Sequence, residues 1–78
     1  MVCHNLKIKP EYFWKVQSGI KRAELRKNDR DFKVFDEIAL NEFENGEYTG
    51  RFQLVQITDI TDVSEYAPGY VLLSIEKE

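Results

Sequence analysis

The stretch EIALNEFENGEYTGRFQLVQITDI, residues 37–60, carries most of the information about the fold. EIALNEF, residues 37–43, reads as a strand, and ENGE, residues 44–47, follows it with Asn-Gly. That dipeptide tolerates positive φ at both central positions of a two-residue hairpin turn, so a second strand returns alongside the first. YTGRFQLVQITDI, residues 48–60, is that returning strand, and its apolar positions change phase between Leu54 and Val55. Side chains alternate faces along a strand, so the phase change predicts a bulge or sharp bend at that point. A long strand that bends is what curls a small sheet.

Working outward, HNLKI (residues 4–8) alternates as a strand with Leu6 and Ile8 on one face. PEYFWKVQSG (residues 10–19) reads as a short helix, with Pro10 at its first position and Gly19 closing it. Tyr12, Phe13, Val16 and Ile20 fall on one face of it, and Trp14 points away. RAELRK (residues 22–27) alternates again, with Ala23 and Leu25 on one side and Arg22, Glu24 and Arg26 on the other. NDRDF (residues 28–32) is a polar loop. APG (residues 67–69) breaks the chain, and GYVLLSIEK (residues 69–77) is a nearly continuous apolar strand suited to an interior position. The expected fold is α+β: one domain over residues 1–78, a small mixed β-barrel or half-barrel of about five strands with one early helix.

Composition narrows the function classes. A chain that is 42% hydrophobic and 13% aromatic has the bulk for a core, which decides against disorder. One cysteine excludes an internal disulfide, and one histidine with one cysteine is too few for a soft-ligand zinc site, so neither metal nor cofactor is expected. No apolar run approaches the ~18 residues of a membrane span, and MVCHNLKIKP carries charge too early for a secretion signal. A cytoplasmic setting without membrane association is the resulting expectation.

The charge is unevenly placed. The chain carries a net −3, yet Lys21, Arg22, Arg26, Lys27, Arg30 and Lys33 crowd one segment against Glu24, Asp29 and Asp31. A net −3 argues against nucleic acid, but this distribution lets the molecule present a basic patch to an anionic partner; the alternative is mixed surface charge with no target. Glu24 and Arg26 stand two apart on a strand, hence on one face, with Lys21 just before them. Arg or Lys would hold phosphate there, while the carboxylate would accept from a base or ribose. The plain alternative is a ladder of solvated ion pairs, worth ~0–1 kcal/mol each. Asn28 and Asp29 shape a turn, whereas Arg30 and Lys27 are candidates for phosphate contacts. Trp14, Tyr12, Tyr48 and Tyr70 are aromatics that could stack on bases or simply pack. Cys3 and His4 are neighbours on a strand, so they face opposite ways and form no dyad; His4 alone could reach a site.

SGIKRAELR, residues 18–26, resembles the G-x-K-x-x-E-x-R signature of the ASCH superfamily, whose domains are related to PUA domains. The wider run from His4 to Glu76 is similar to small uncharacterised ASCH-like proteins of bacteria and their phages. The resemblance implies a PUA-like β-barrel with a helix plugging one end and a cleft lined by Lys21, Glu24 and Arg26. It also implies binding of RNA or a nucleotide-like ligand. Some ASCH relatives are amidohydrolases that act on acetylated cytidine with a lysine at the position of Lys21. By that alternative, Lys21 would be nucleophile or base and Glu24 the proton shuttle. Those enzymes carry threonine where this chain has Glu24, so binding ranks ahead of catalysis. PUA-like domains also share a V-G-D turn; here it reads VFD, with Phe35 for the glycine, and a different backbone is expected there.

Overall fold

The computed structural model describes every residue from Met1 to Glu78. Strand β1 (Cys3–Ile8) leads into helix α1 (Pro10–Gln17), followed by β2 (Ala23–Lys27), β3 (Glu37–Glu44), β4 (Glu47–Asp62) and β5 (Tyr70–Lys77). The five strands form one mixed sheet in the order β1-β3-β4-β5-β2. β1 lies parallel to β3, and every other neighbouring pair is antiparallel. β4 makes the sheet a half-barrel: its first part pairs with β3 and its second part with β5. The result is the small α+β, PUA-like barrel expected from the sequence.

The hairpin between β3 and β4 forms at Asn45 and Gly46, with φ of 53° and 80°. The bend lies elsewhere than the phase change implied. Leu54 and Val55 pair in unbroken register with Ala39 and Ile38. The phase changes because this segment is apolar on both faces: Val55 points into the barrel, while Leu54 sits beside Ala39 on the outside. The register breaks further along, between Ile57 and Asp59, so Thr58 is the bulged residue that turns β4 toward β5. A second irregularity lies nearer the hairpin. Asn41 faces Phe52 but Phe43 already faces Tyr48, so β4 bulges around Gly50, whose φ of 92° few other residues adopt.

Inside the barrel, Leu6, Ile8, Ile38, Leu40, Val55, Ile57, Val71, Leu73 and Ile75 meet Phe13 and Val16 of α1 and Phe32 of the loop before β3. Each such side chain contributes ~1.5–3 kcal/mol by leaving water. The apolar stripe on α1 is narrower than its sequence implies. Tyr12 and Ile20 are exposed; Ile20 lies beyond the helix end, and Tyr12 sits at the margin of the buried face. β5 is interior as expected, flanked by β4 and β2. No helix is long and apolar enough to cross a membrane.

Candidate functional site

The G-x-K spacing has a mechanical cause. Gly19, at φ 82°, follows the last turn of α1 and reverses the chain. Its N–H donates to the Val16 carbonyl, and the Ile20 N–H donates to the Lys15 carbonyl. This pair of bonds is the Schellman closure of a helix. The Lys21 N–H donates to the same Lys15 carbonyl, so Lys21 is fixed relative to the helix end before β2 begins.

β2 then pairs with β5, placing Glu24 opposite Leu73 and Arg26 opposite Val71. Residues directly opposite share a face, and Leu73 and Val71 are core residues. Glu24 therefore points inward and is only 5% exposed, while Leu25 of the same strand faces solvent. A buried carboxylate requires partners, and it has two. Lys21 Nζ donates to Glu24 Oε1 at 2.5 Å and also to the Ala23 carbonyl. Arg26 Nε and Nη2 each lie 2.9 Å from Glu24 Oε2. Both Glu24 oxygens are thus engaged by this chain's own cations. The side chains of Lys21 and Arg26 each remain 25% exposed.

Arg26 reaches further. Its Nη2 donates to the Lys7 carbonyl at 2.7 Å, and Arg30 Nη1 donates to the Asn5 carbonyl at 3.2 Å. Both carbonyls lie on the free edge of β1, so two arginines bridge the open seam between the outermost strands β1 and β2. Lys27 is exposed at the end of β2. Arg30 also stands 3.9 Å from Asp29, and Lys33 stands 3.3 Å from Asp31.

Two depressions meet at Lys21. One, of about 320 Å³, is lined by Lys7, Lys9 and Tyr12 on one side and by Lys21, Glu24 and Arg26 on the other. The second, a groove of about 670 Å³, is bordered by Lys21, Arg22, Thr58, Ser74, Glu76 and Lys77 where the β4 bulge opens the sheet. Sequence reasoning overlooked Lys7 and Lys9, although Lys7 alternates with Leu6 and Ile8 onto the outer face of β1 and Lys9 follows at the start of α1. Glu76 and Ser74 were hidden inside an apolar run. Trp14 borders neither depression; it is half exposed, with the Lys15 ammonium 5.9 Å from its ring centroid.

His4 lies away from this site. Its Nε2 is 2.8 Å from Asp36 Oδ2, and its ring meets Phe32 edge-on at 4.8 Å. Asp36 also accepts from the backbone N–H groups of Val2 and Lys33, at 3.2 and 3.1 Å. The His4 hydrogen bond, helped by those two amides, holds the Asp36 carboxyl below the usual range. Cys3 is exposed on the opposite face, as alternation requires. Phe35, in the VFD turn, adopts φ 79°, so the backbone keeps a conformation favoured by glycine despite the aromatic side chain. No group of three or more His, Cys, Asp or Glu side chains converges into a metal cage.

Comparison with known proteins places this arrangement in a family. A model of a domain of unknown function, DUF3850, matches residues 3–75. The chain belongs to the DUF3850 family. It is also similar to an uncharacterised 12.9 kDa protein in the GpA 3′ region of Escherichia phage P2, at 44% identity over 70 residues. That match covers 90% of this chain and spans 64% of the relative's length. The DUF3850 region runs from β1 into β5, so it contains the smaller depression, the Lys21–Glu24–Arg26 cluster and all of the larger groove's border except Glu76 and Lys77.

Proposed function

We propose that this DUF3850 domain is an RNA-binding module of the ASCH kind, which grips a nucleotide beside Lys21. The observation that carries the reading is the gathering of Lys9, Lys21 and Arg26, with Lys7 at the border, around one depression whose single carboxylate, Glu24, is buried and already paired. An anionic ligand there meets cations and no free negative charge. Tyr12 and the exposed Leu25 supply apolar surface for a base or sugar. Arg22 and Lys77 extend the positive rim on the far side of Lys21. Arg30 and Lys27 lie at the end of β2 nearest the β1 edge and serve as outer phosphate contacts.

The amidohydrolase reading is weaker on this geometry. Lys21 Nζ is held by the Ala23 carbonyl and the Glu24 carboxylate, so attack on a substrate would first require it to leave both partners. Glu24 is engaged on both oxygens, so the carboxylate that shares an open groove with Lys21 is Glu76.

A titration panel tests the proposal: single-stranded RNA, duplex RNA, single-stranded DNA and acetylated cytidine, each at two salt concentrations. RNA affinity is expected to fall with salt, and Lys21→Ala to weaken it about tenfold, the scale of one charge-assisted hydrogen bond. Neutralising Arg30 and Lys27 together should lower the salt slope by about one for each phosphate that is no longer neutralised. Absence of RNA binding at low salt overturns the proposal. Turnover of acetylated cytidine that disappears in both Lys21→Ala and Glu76→Gln would establish the hydrolase instead.

A further inference from the structure

The outer face of the β1-β3-β4 sheet is built unlike the rest of the surface. Facing outward beside the hairpin are Asn5 and Lys7 from β1, Asn41 and Phe43 from β3, and Tyr48 and Phe52 from β4. Register puts them together: Lys7 lies beside Asn41, Asn41 faces Phe52, and Phe43 faces Tyr48. Tyr48 and Phe52 are 60% and 57% exposed, although burial would reward both. Phe43 and Tyr48 meet edge-on at 5.0 Å, and the Lys7 ammonium lies 4.3 Å from the Phe43 centroid and 5.8 Å from that of Tyr48. A hollow of about 280 Å³ opens here among Asn5, Asn41, Tyr48, Gly50 and Arg51.

No free carboxylate occupies this part of the face. Glu42 points the other way, buried and held by Thr49 and Arg51. The bulge at Gly50 turns those two residues toward it and leaves the aromatic side clear. Glu44 and Glu47 face each other and alternate away from Phe43 and Tyr48. Exposed aromatics combined with side-chain amides and an ammonium match a single strand of nucleic acid: rings stack on bases, amides read base edges and Lys7 meets phosphate. A purely apolar face would instead fit a protein partner.

This face is continuous with the depression beside Lys21. Lys7 lines that depression and is the same residue that reaches over Phe43, and β1 is the shared floor. We propose that a single RNA strand crosses β1 from the Lys21 depression to this face, where successive bases stack on Tyr48 and Phe52. The inference extends the RNA-binding reading above and rests on it for the first nucleotide alone.

The test compares a uridine mononucleotide with a single-stranded oligouridine of roughly ten nucleotides, within the span small sheet proteins cover. The variants are Tyr48→Ala, Phe52→Ser, Lys7→Gln and Lys21→Ala, with thermal melts to confirm folding. Tyr48→Ala and Phe52→Ser should each weaken the oligomer about tenfold and leave the mononucleotide unchanged. Lys7→Gln, which retains the stem and removes the charge, should lower the oligomer's salt slope by about one. Lys21→Ala should weaken both ligands. If the oligomer binds no more tightly than the mononucleotide, or ignores all three face variants while responding to Lys21→Ala, the extended path is overturned and the Lys21 site stands. If the face variants act and Lys21→Ala does not, the face stands and the Lys21 site falls. Concentration-dependent dimerisation abolished by Tyr48→Ala or Phe52→Ser, with oligomer binding intact, would assign the face to a second copy of the chain and overturn the proposal.

Discussion

Two buried carboxylates, Glu24 and Asp36, have almost the same exposure and opposite surroundings. Asp36 is held by His4 and by two backbone amides, groups that cannot move without unfolding the start of β1 or the loop before β3. Glu24 is held by two long side chains, each a quarter exposed, whose heads border open depressions. The first arrangement is a clamp. The second is a store of positive charge held in place by one inward carboxylate and reachable from solvent. Burial alone does not distinguish a structural acid from one that belongs to a site; the mobility and exposure of its partners do.

The contrast between the two acids breaks most severely at the clamp. Asp36→Ala strands the His4 ring and two amide donors, and its fall in melting temperature should exceed that of Glu24→Gln or Gly19→Ala. Its effect should also depend on pH. The folded-state pKa of Asp36 is lowered from 3.8, so its contribution to stability is fully present above about that pH and is lost as pH falls through the lower folded value. Urea unfolding from about pH 5 down to about pH 2 should show the gap between wild type and Asp36→Ala closing on acidification. A gap that stays constant would remove the ionised carboxylate from the clamp.

Glu24→Gln should act in two directions at once. Stability should fall by ~1–2 kcal/mol, less than the ~3–5 kcal/mol for breaking a sealed ion pair, because Lys21 and Arg26 can rehydrate. RNA affinity should rise a few-fold at low salt as those cations are released, with a steeper salt dependence. Thermal melts and RNA titration of the same preparation read both. Unchanged stability, or a fall in affinity, would make Glu24 part of the ligand contact after all.

The smallest effect concerns how Lys21 is aimed. A methyl group at Gly19 would meet nothing within 4 Å, so Gly19→Ala isolates the cost of placing a side chain at φ 82°. That cost should be ~1 kcal/mol, or about 4–8 °C in melting temperature for a domain of this size. RNA affinity should weaken with it, because the turn positions Lys21, while the Asp36 clamp stays intact. Loss of stability without loss of affinity would separate the helix cap from the site.

Local pattern revealed the elements, and long-range register decided the site. Alternation, Pro10, Gly19 and the Asn45–Gly46 pair each act over a few residues, so the strands, helix and hairpin were legible. The bend was misplaced because Leu54 and Val55 are both shielded, on opposite faces, and a one-dimensional pattern cannot distinguish that from a bulge. The grouping of Lys21, Glu24 and Arg26 was legible from strand period and family resemblance. The inward direction of Glu24 was not, since it follows from the alignment of β2 with Leu73 and Val71 of β5. The Asp36 clamp joins residues 32 positions apart and leaves no local trace.

The arginines bridging the seam also bear on how the molecule avoids its own kind. The free edge of β1 presents carbonyl acceptors that another chain could pair with, a common beginning of strand-addition aggregation. Arg26 and Arg30 cap two of them, at Lys7 and Asn5. Each brings charge to the place where a foreign strand would dock, which disfavours strand addition at β1. A substitution that removes either arginine would uncover one of these carbonyls and leave the β1 edge more open to pairing.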